Sequence, residues 1–220
     1  PEQLEDIITP KTKILVLNYP SNPTGSTFTE AELIKISKIV SRNNLIVVSD
    51  EIYDKILYDG IKHTSFVQIS DEIKQQTILV NGVSKTYSMT GWRIGYAAGN
   101  PSVISAMSNL SGQSTSNPTS ISQKAAQEAF YGDQAEVSKM VNEFESRRNY
   151  ICNELNKIYG IKCSVPDGAF YVFPDISSFF GKKYNNIEIN NSVDFTNFLL
   201  NEARVAVVPG QNAIGVELPN

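Results

Sequence analysis

With 220 residues, the chain is long enough to bury a hydrophobic core, as one large domain or as two small ones. Hydrophobic residues make up 41% of it and charged residues 19%, which is ordinary for a globular protein and excludes a disordered tail. The net charge of −4 predicts no basic surface for nucleic acid, and no apolar run approaches the roughly 20 residues that cross a bilayer.

Two residue types bound the chemistry further. The two cysteines, Cys152 and Cys163, are too few for a disulfide framework and lack a metal-ligand spacing, which favours a reducing cytoplasm and predicts no metal site. The single histidine is His63, so a Ser-His-Asp relay, a Cys-His pair or a multi-histidine metal centre within this chain would have no other histidine to draw on. Its neighbours Lys62 and Thr64 predict a loop, so His63 is expected to face solvent.

The first elements form a strand-helix-strand unit. Residues 13–18 are a continuous apolar run, typical of a strand covered on both faces. Thr29 and Glu32 then fit a capping box, which predicts a helix start, and the helix has its apolar residues on one face. Residues 45–48 form a second apolar run. This order predicts parallel pairing of the two strands.

Chemically distinctive residues follow the predicted strands. Asp50 ends the second strand, with Tyr53 one turn later, and Lys85 follows a third apolar run at residues 78–80. Ligands of open parallel sheets bind beyond the carboxyl ends of the strands, so these side chains and Asn22 could converge. Partial burial disfavours a charged lysine, and a neutral amine can form a Schiff base with an aldehyde. The alternative is a surface lysine on a turn.

The later part of the chain reads as helices followed by short strands. A strand is expected at residues 94–98, then helices at 102–110, 121–131 and 136–159, with a polar loop at 111–120. After Gly160 the pattern predicts short strands within residues 163–174, a polar loop at 181–191, a helix at 193–203 and a strand at 205–209. No internal repeat is present.

Several motifs occur in a recognisable order. They are NPTG at residues 22–25, SDEIYD at 49–54, SKTYSMTGWRIGY at 84–96 and VAVVPG at 205–210. Together they resemble the class I/II aminotransferases, which use pyridoxal phosphate on the aspartate aminotransferase fold, and most of all the prokaryotic-type branch. The resemblance runs from Leu4 to about Gly215. It implies that this chain lacks an N-terminal part and the extreme C-terminus of a longer protein.

The resemblance implies an α/β fold of the aspartate aminotransferase type, a mostly parallel sheet with covering helices and a smaller α+β C-terminal domain. Residues 1–145 would be the later part of the large cofactor-binding domain, and residues 146–220 part of the small domain. The NPTG turn commonly carries a cis peptide, so a cis bond is expected between Asn22 and Pro23. A homodimer in the cytoplasm, with no membrane or nucleic-acid partner, is also implied.

Site roles follow from the same resemblance. Lys85 would bind pyridoxal phosphate as a Schiff base and then act as general base and acid, while Asp50 would pair with the pyridine nitrogen. Arg93 and Ser84 would bind the phosphate. Tyr53 and Asn22 would donate to the ring's phenolic oxygen, with Asn22 also facing the substrate. The catalytic set is therefore Lys85, Asp50 and Tyr53.

The implied reaction is transamination between an L-amino acid and a 2-oxo acid, with aspartate and 2-oxoglutarate favoured by overall resemblance. An aromatic or other aminotransferase, a C-S lyase on the same fold and a non-catalytic module of a transcription regulator remain alternatives. A nucleotide-binding phosphate loop is excluded, because Ser84 and Leu79 stand where that motif needs glycine. No arginine follows Gly210, where family transaminases hold the substrate α-carboxylate.

Overall fold

The computed structural model describes residues 1–184 and 187–213. This described part forms two compact units. The first contains residues 1–21, 26–143 and 167–169, and the second contains residues 22–25, 144–166 and the chain from Phe170 onward. The division predicted after residue 145 stays a prediction.

The first unit is built on a sheet with helices. Within the described residues its four strands are β1 (Ile14–Asn18), β2 (Ile46–Asp50), β3 (Thr77–Gly82) and β4 (Gly95–Ala98), which lie in that order. The first three pair in parallel, and β4 pairs with β3 in the antiparallel sense. The prediction of a mostly parallel sheet within an α/β fold is confirmed.

Helices connect and flank these strands. They are α1 (Glu2–Ile7), α2 (Glu30–Arg42), α3 (Asp71–Gln76), α4 (Pro101–Ser114), α5 (Ser120–Tyr131) and the first part of α6 (Ala135–Lys157). Short 3₁₀ turns lie at Phe66–Gln68 and Thr90–Trp92. None of the helices in the described residues is long and apolar enough to span a membrane.

The start of α2 confirms the predicted capping box. The Glu32 main-chain N–H donates to Thr29 Oγ1 at 3.3 Å, and Glu32 Oε2 accepts from the Thr29 main chain at 2.8 Å. Free amides in the first turn are thereby satisfied. The helix then buries Leu33, Ile36 and Val40 in a core with residues of the sheet.

The two faces of the sheet differ. On one face, Leu17 and Val47 are buried against α2. On the other, Ile14 and Val16 of β1 are 57% and 65% exposed. The expectation that residues 13–18 are covered on both faces is therefore wrong for the described part of the chain. An apolar run shows that a strand has side chains suited to burial on both faces. Whether both faces are buried depends on which other segments of the chain pack on them.

One predicted loop is partly helical. Helix α4 begins after the N-cap Asn100, whose side chain accepts from Ser102 N, and continues to Ser114. It therefore includes the first four residues of the polar stretch predicted as a loop at residues 111–120. Serine and glutamine are tolerated on an exposed helix surface, so polar composition alone does not end a helix.

The second unit contains the rest of α6, followed by β5 (Lys182–Tyr184), β6 (Ile187–Ile189), α7 (Ser192–Phe198) and α8 (Gly210–Ala213). One π-helical turn, Leu199–Ala203, follows α7 directly, and the two together confirm the helix predicted at residues 193–203. Strands β5 and β6 pair antiparallel within the stretch predicted as a polar loop at 181–191, so that prediction is wrong.

Two strand predictions in this unit are also wrong. Within residues 163–174 the described chain forms no strand of the kind predicted, and Lys162 and Asp175 make an isolated bridge at its ends. Residues 205–209 are irregular, with Val208 73% exposed. A strand requires a neighbouring ladder, and the described residues provide none beside either segment.

Candidate active site

Asp50 lies where three parallel strands end. The Tyr19 main-chain N–H donates to the Asp50 carbonyl at 3.2 Å, and the Glu51 N–H donates to the Val80 carbonyl at 3.0 Å. These bonds hold the ends of β1, β2 and β3 side by side. The Asp50 side chain also accepts from Ile52 N at 3.2 Å, which closes a local turn. The carboxylate is thus fixed at the carboxyl edge of the sheet.

Lys85 lies in the loop between β3 and β4. Val83 N donates to the Ile94 carbonyl at 3.3 Å and closes the base of this loop. Ser84 and Arg93 are the next residues to that bonded pair, so both lie at the entrance of the loop. Lys85 is half-buried, and its Nζ lies 5.8 Å from the centre of the buried Tyr53 ring.

The backbone of this loop adopts uncommon conformations. Arg93 has φ of 56° and Ser88 has φ of 53°, both in the left-handed region that side chains other than glycine rarely adopt. Such conformations cost about 1–3 kcal/mol each and cluster at functional sites. The guanidinium of Arg93 donates to the Thr90 carbonyl at 3.1 Å, which fixes its direction from within the loop.

Packing under the loop supports this geometry. Val83 and Ile94 are buried together with Ala126 of α5. At the loop base, a side chain on Gly82 would place its Cβ 2.8 Å from the Ile94 carbonyl oxygen, so only glycine fits there. The base of the loop that carries Lys85 is therefore held by a buried cluster, in addition to the exposed hydrogen bonds within the loop.

The predicted site residues divide between the two units. Asp50, Tyr53, Ser84, Lys85 and Arg93 belong to the first unit, at the same edge of its sheet.

Asn22 belongs to the second unit. Its bond to Pro23 is cis, as predicted, and the Tyr19-Pro20 bond is also cis, which was not predicted. The approach of Asn22 to the other site residues stays a prediction.

The donor set of the first unit fits pyridoxal phosphate. An aldehyde needs an amine, a pyridine nitrogen needs a carboxylate, and a phosphate needs a cation and a hydroxyl. Lys85, Asp50, Arg93 and Ser84 supply these groups. Within the described residues no cluster of His, Cys, Asp and Glu could hold a metal ion.

A buried polar cluster that was not predicted from the sequence lies next to Asp50. Glu51 is 2% exposed, and its Oε2 lies 2.7 Å from His63 Nε2. The other carboxylate oxygen, Oε1, accepts from Ser49 Oγ at 2.7 Å, Ser65 Oγ at 2.9 Å, Phe66 N at 3.1 Å and Tyr19 Oη at 3.2 Å. We call these six residues the Glu51 network.

His63 is therefore not the solvent-facing residue that its neighbours predicted. Its side chain is 13% exposed, stacks on the Tyr19 ring with centroids 5.1 Å apart and pairs with Glu51. Its second ring nitrogen, Nδ1, is buried with no hydrogen-bond partner in the described residues. A loop residue with polar neighbours can still point into the protein interior, because a buried carboxylate there needs hydrogen-bond donors.

The hydrogen bonds of the network determine its electrostatics. Burial alone raises the pKa of Glu51, but hydrogen bonds from His63, Ser49 and Ser65, together with the charge of His63, outweigh burial and lower that pKa below 4.5. For Tyr19, burial and the nearby Glu51 charge both raise the pKa, so the phenol stays protonated. Glu51 is consequently an ionised acceptor and Tyr19 a donor.

Comparison with known proteins agrees with the motifs. The family model "Aminotransferase class I and II" matches residues 1–214, so the chain belongs to that family. It is 52% identical over 209 residues to the aspartate aminotransferase of Bacillus sp. strain YM-2, covering 95% of this chain and 52% of that protein.

Solved structures give the same result. The aspartate aminotransferase of Rhizobium meliloti matches with a TM-score of 0.93 and 41% identity, covering 99% of this chain and 55% of that one. An aromatic aminotransferase from Pyrococcus horikoshii OT3 matches with a TM-score of 0.89 and 37% identity, covering 98% of this chain and 55% of that one. The chain spans about half the length of the curated relatives it matches.

Proposed function

We propose that the full-length protein is an aminotransferase that depends on pyridoxal phosphate and that this chain carries most of its cofactor-binding residues. The observation that carries the proposal is the half-buried Lys85 in a strained loop between Ser84 and Arg93, at the same sheet edge as Asp50. Membership of the aminotransferase family supports it independently.

When bound, pyridoxal phosphate supplies an electron sink for the bonds at the substrate α-carbon. Lys85 would hold the cofactor through its amine and would serve as the general base and acid that moves the proton at the substrate α-carbon. Its position over the Tyr53 ring limits the directions that the flexible side chain can take. Lys85 and Tyr53 are therefore proposed as catalytic residues.

Asp50 is the third proposed catalytic residue, and its carboxylate holds the proton on the pyridine nitrogen. Ser84 and Arg93 would bind the phosphate, to which a hydroxyl can donate a hydrogen bond and a guanidinium can make a charge-assisted contact. Tyr53 and Asn22 donate to the phenolic oxygen of the ring, and Asn22 also contacts the substrate. All of the residues named for these roles lie in loops or turns or at the end of a strand.

We further propose a homodimer in the cytoplasm, with residues 1–145 in a large domain and residues 146–220 in a small one. Aspartate and 2-oxoglutarate are the proposed substrates, supported by the family and by the relatives named above. An aromatic amino acid is the second candidate, since a similar structure belongs to an aromatic aminotransferase. The arginine that would grip the substrate α-carboxylate does not follow Gly210 in the printed sequence.

A substrate panel on the full-length gene product tests the proposal. The protein is purified with pyridoxal phosphate and assayed with aspartate, phenylalanine or cystathionine, with and without 2-oxoglutarate. We expect glutamate formation with the highest kcat/KM for aspartate. Phenylalanine as the best donor would make the second candidate correct. Keto-acid release without an acceptor would indicate a lyase, and absence of any turnover would contradict an enzymatic role.

A further inference from the structure

The Glu51 network lies beside Asp50 in the chain and has no part in the proposed chemistry. We propose that Glu51 is a positioning residue for Asp50, because the network fixes the main chain from which the Asp50 carboxylate projects. This inference rests on the proposed function, since it takes Asp50 to be the partner of the pyridine nitrogen.

Glu51 accepts hydrogen bonds from segments that are far apart in the sequence. Its carboxylate accepts from Tyr19, which follows β1, from Ser49 within β2, and from the segment of residues 63–66. These donors are separated from Glu51 by up to 32 residues in sequence. One buried side chain therefore joins the end of the central strand to its neighbour and to a loop.

Hydrogen bonds also hold the main chain on both sides of Asp50. The residues on both sides of it, Ser49 and Glu51, bond to each other through their side chains at 2.7 Å. The Tyr19 hydroxyl lies 3.2 Å from both Glu51 Oε1 and the Thr64 carbonyl, and its main-chain N–H donates to the Asp50 carbonyl. Asp50 can shift along or out of the sheet only if these bonds break.

Burial of the Glu51 carboxylate has a cost in free energy. An apolar side chain of similar volume is often as stabilising as a buried charge, so a charge buried to this degree needs a reason beyond stability. A carboxylate offers about four lone-pair sites and no donor, which suits a site where hydroxyl, amide and imidazole groups all point inward. The geometry therefore indicates that Glu51 holds the end of β2 in one conformation.

Positional precision matters for Asp50 because its task is electrostatic. A misplacement of about 1 Å in a positioned group can cost about 10²-fold in rate. Alternation along the strand directs Ser49 and Glu51 to one face and Asp50 to the other, so Glu51 does not itself reach the cofactor side. Its effect on the reaction must then pass through Asp50.

The experiment uses the full-length gene product with bound pyridoxal phosphate and the variant Glu51→Gln. We expect kcat to fall about 10- to 100-fold with KM within about twofold, because substrate contacts are unchanged. We also expect a shift in the pH at which the visible absorption of the bound cofactor changes, measured without substrate. The matched control is Glu32→Gln in the exposed capping box of α2, which should leave kcat and the absorption titration unchanged.

A double-mutant cycle separates positioning from general damage. If Glu51 acts through Asp50, adding Glu51→Gln to Asp50→Ala should lower kcat no further. Multiplicative losses in the double variant would overturn the inference. A wild-type protein that binds no pyridoxal phosphate would overturn the proposed function as well, whereas a normal wild type with an unchanged Glu51→Gln variant would overturn the inference alone.

Tyr19→Phe keeps the inference testable if Glu51→Gln does not fold. This variant keeps the ring that stacks on His63 and removes the hydroxyl that Glu51 accepts. We expect a smaller effect in the same direction, with kcat about two- to fivefold lower and a shifted absorption titration. Wild-type values for both measurements would overturn the inference.

Discussion

Asp50 and Glu51 are adjacent carboxylates with opposite surroundings. Glu51 is 2% exposed and receives hydrogen bonds from two strands and a loop. Asp50 is half-buried at the edge of the same sheet, where its carboxylate accepts a main-chain N–H two residues away. Strand alternation explains the difference, because successive residues point to opposite faces.

The comparison teaches how one strand end can serve structure and chemistry together. The face of Glu51 is packed against α2 and the segment of residues 63–66, so its groups are satisfied within the protein. The face of Asp50 also carries Val16 and Ile46, which are 65% and 42% exposed. We therefore expect substitutions on the first face to change stability and, through Asp50, activity, whereas substitutions on the second face should change activity with little loss of stability.

The largest expected effect on stability is that of Glu51→Ala. This substitution leaves buried hydroxyl, amide and imidazole groups without their acceptor, and we expect a loss of about 3–5 kcal/mol in the free energy of unfolding. Urea-induced unfolding of the full-length gene product measures it. Glu136→Ala, at a side chain that is 82% exposed, should change stability by less than about 0.5 kcal/mol. Equal losses for the two variants would contradict the comparison.

Asp50→Ala should produce the opposite pattern. We expect the cofactor to stay covalently bound while kcat falls about 10²-fold or more, which corresponds to about 2.7 kcal/mol. Stability should change by less than about 1 kcal/mol, because the hydrogen bond that the Asp50 carboxylate accepts from Ile52 N closes only a local turn. Steady-state kinetics and the cofactor absorbance are measured on one preparation. Near-normal turnover would remove Asp50 from the mechanism.

A smaller effect is expected from acid. The pKa of Glu51 is lowered in the folded protein, so its carboxylate contributes stability that is fully present above its ordinary value of 4.5. That contribution is lost as the pH falls through the lowered pKa. The gap in unfolding free energy between wild type and Glu51→Gln should therefore be larger at about pH 5 than below 4.5, and it should shrink as the pH falls further. A gap that widens on acidification would show that the sign is wrong.

The smallest predicted effect lies away from the strand end, in the capping box of α2. Thr29→Ala removes an acceptor for Glu32 N, and we expect a loss of about 1 kcal/mol in unfolding free energy with unchanged kcat. Thr29→Ser keeps the hydroxyl and should be close to wild type. A change in kcat for Thr29→Ala would mean that stability and activity are not separated as proposed.

Local features were predictable from the sequence. The capping box at Thr29 and Glu32 involves residues three apart, and the parallel pairing of β1 and β2 follows from an apolar run on either side of an amphipathic helix. The edge of the sheet that carries Asp50 and Lys85 follows from the same order of elements. Each of these inferences depends on short stretches of sequence.

Features that depend on distant contacts were not predictable. His63 meets Glu51 across 12 residues and Tyr19 across 44, and nothing in its neighbours Lys62 and Thr64 records either contact. A usable signal was present in Ser49 and Glu51, because alternation with Asp50 assigns them to the covered face, where a carboxylate needs donors. Which segments supply those donors is determined only by the fold.

The strand errors have a similar cause. Residues 205–209 have the apolar composition of a buried strand, but Val205, Val207 and Val208 are all exposed in the described chain. Propensity for β-structure reflects packing against neighbours on a sheet, which composition does not specify. The predicted loop at residues 181–191 shows the reverse, since two short segments within a largely polar stretch, Lys-Lys-Tyr and Ile-Glu-Ile, pair there as β5 and β6.

The most direct test of the account is the site of cofactor attachment. The full-length gene product is reduced with borohydride in the presence of pyridoxal phosphate, digested and analysed by mass spectrometry. We predict that the reduced cofactor is found on Lys85 and that Lys85→Ala loses both the modification and transamination, while Lys74→Ala keeps both. Cofactor fixed to another lysine in Lys85→Ala with activity retained would contradict the proposed function.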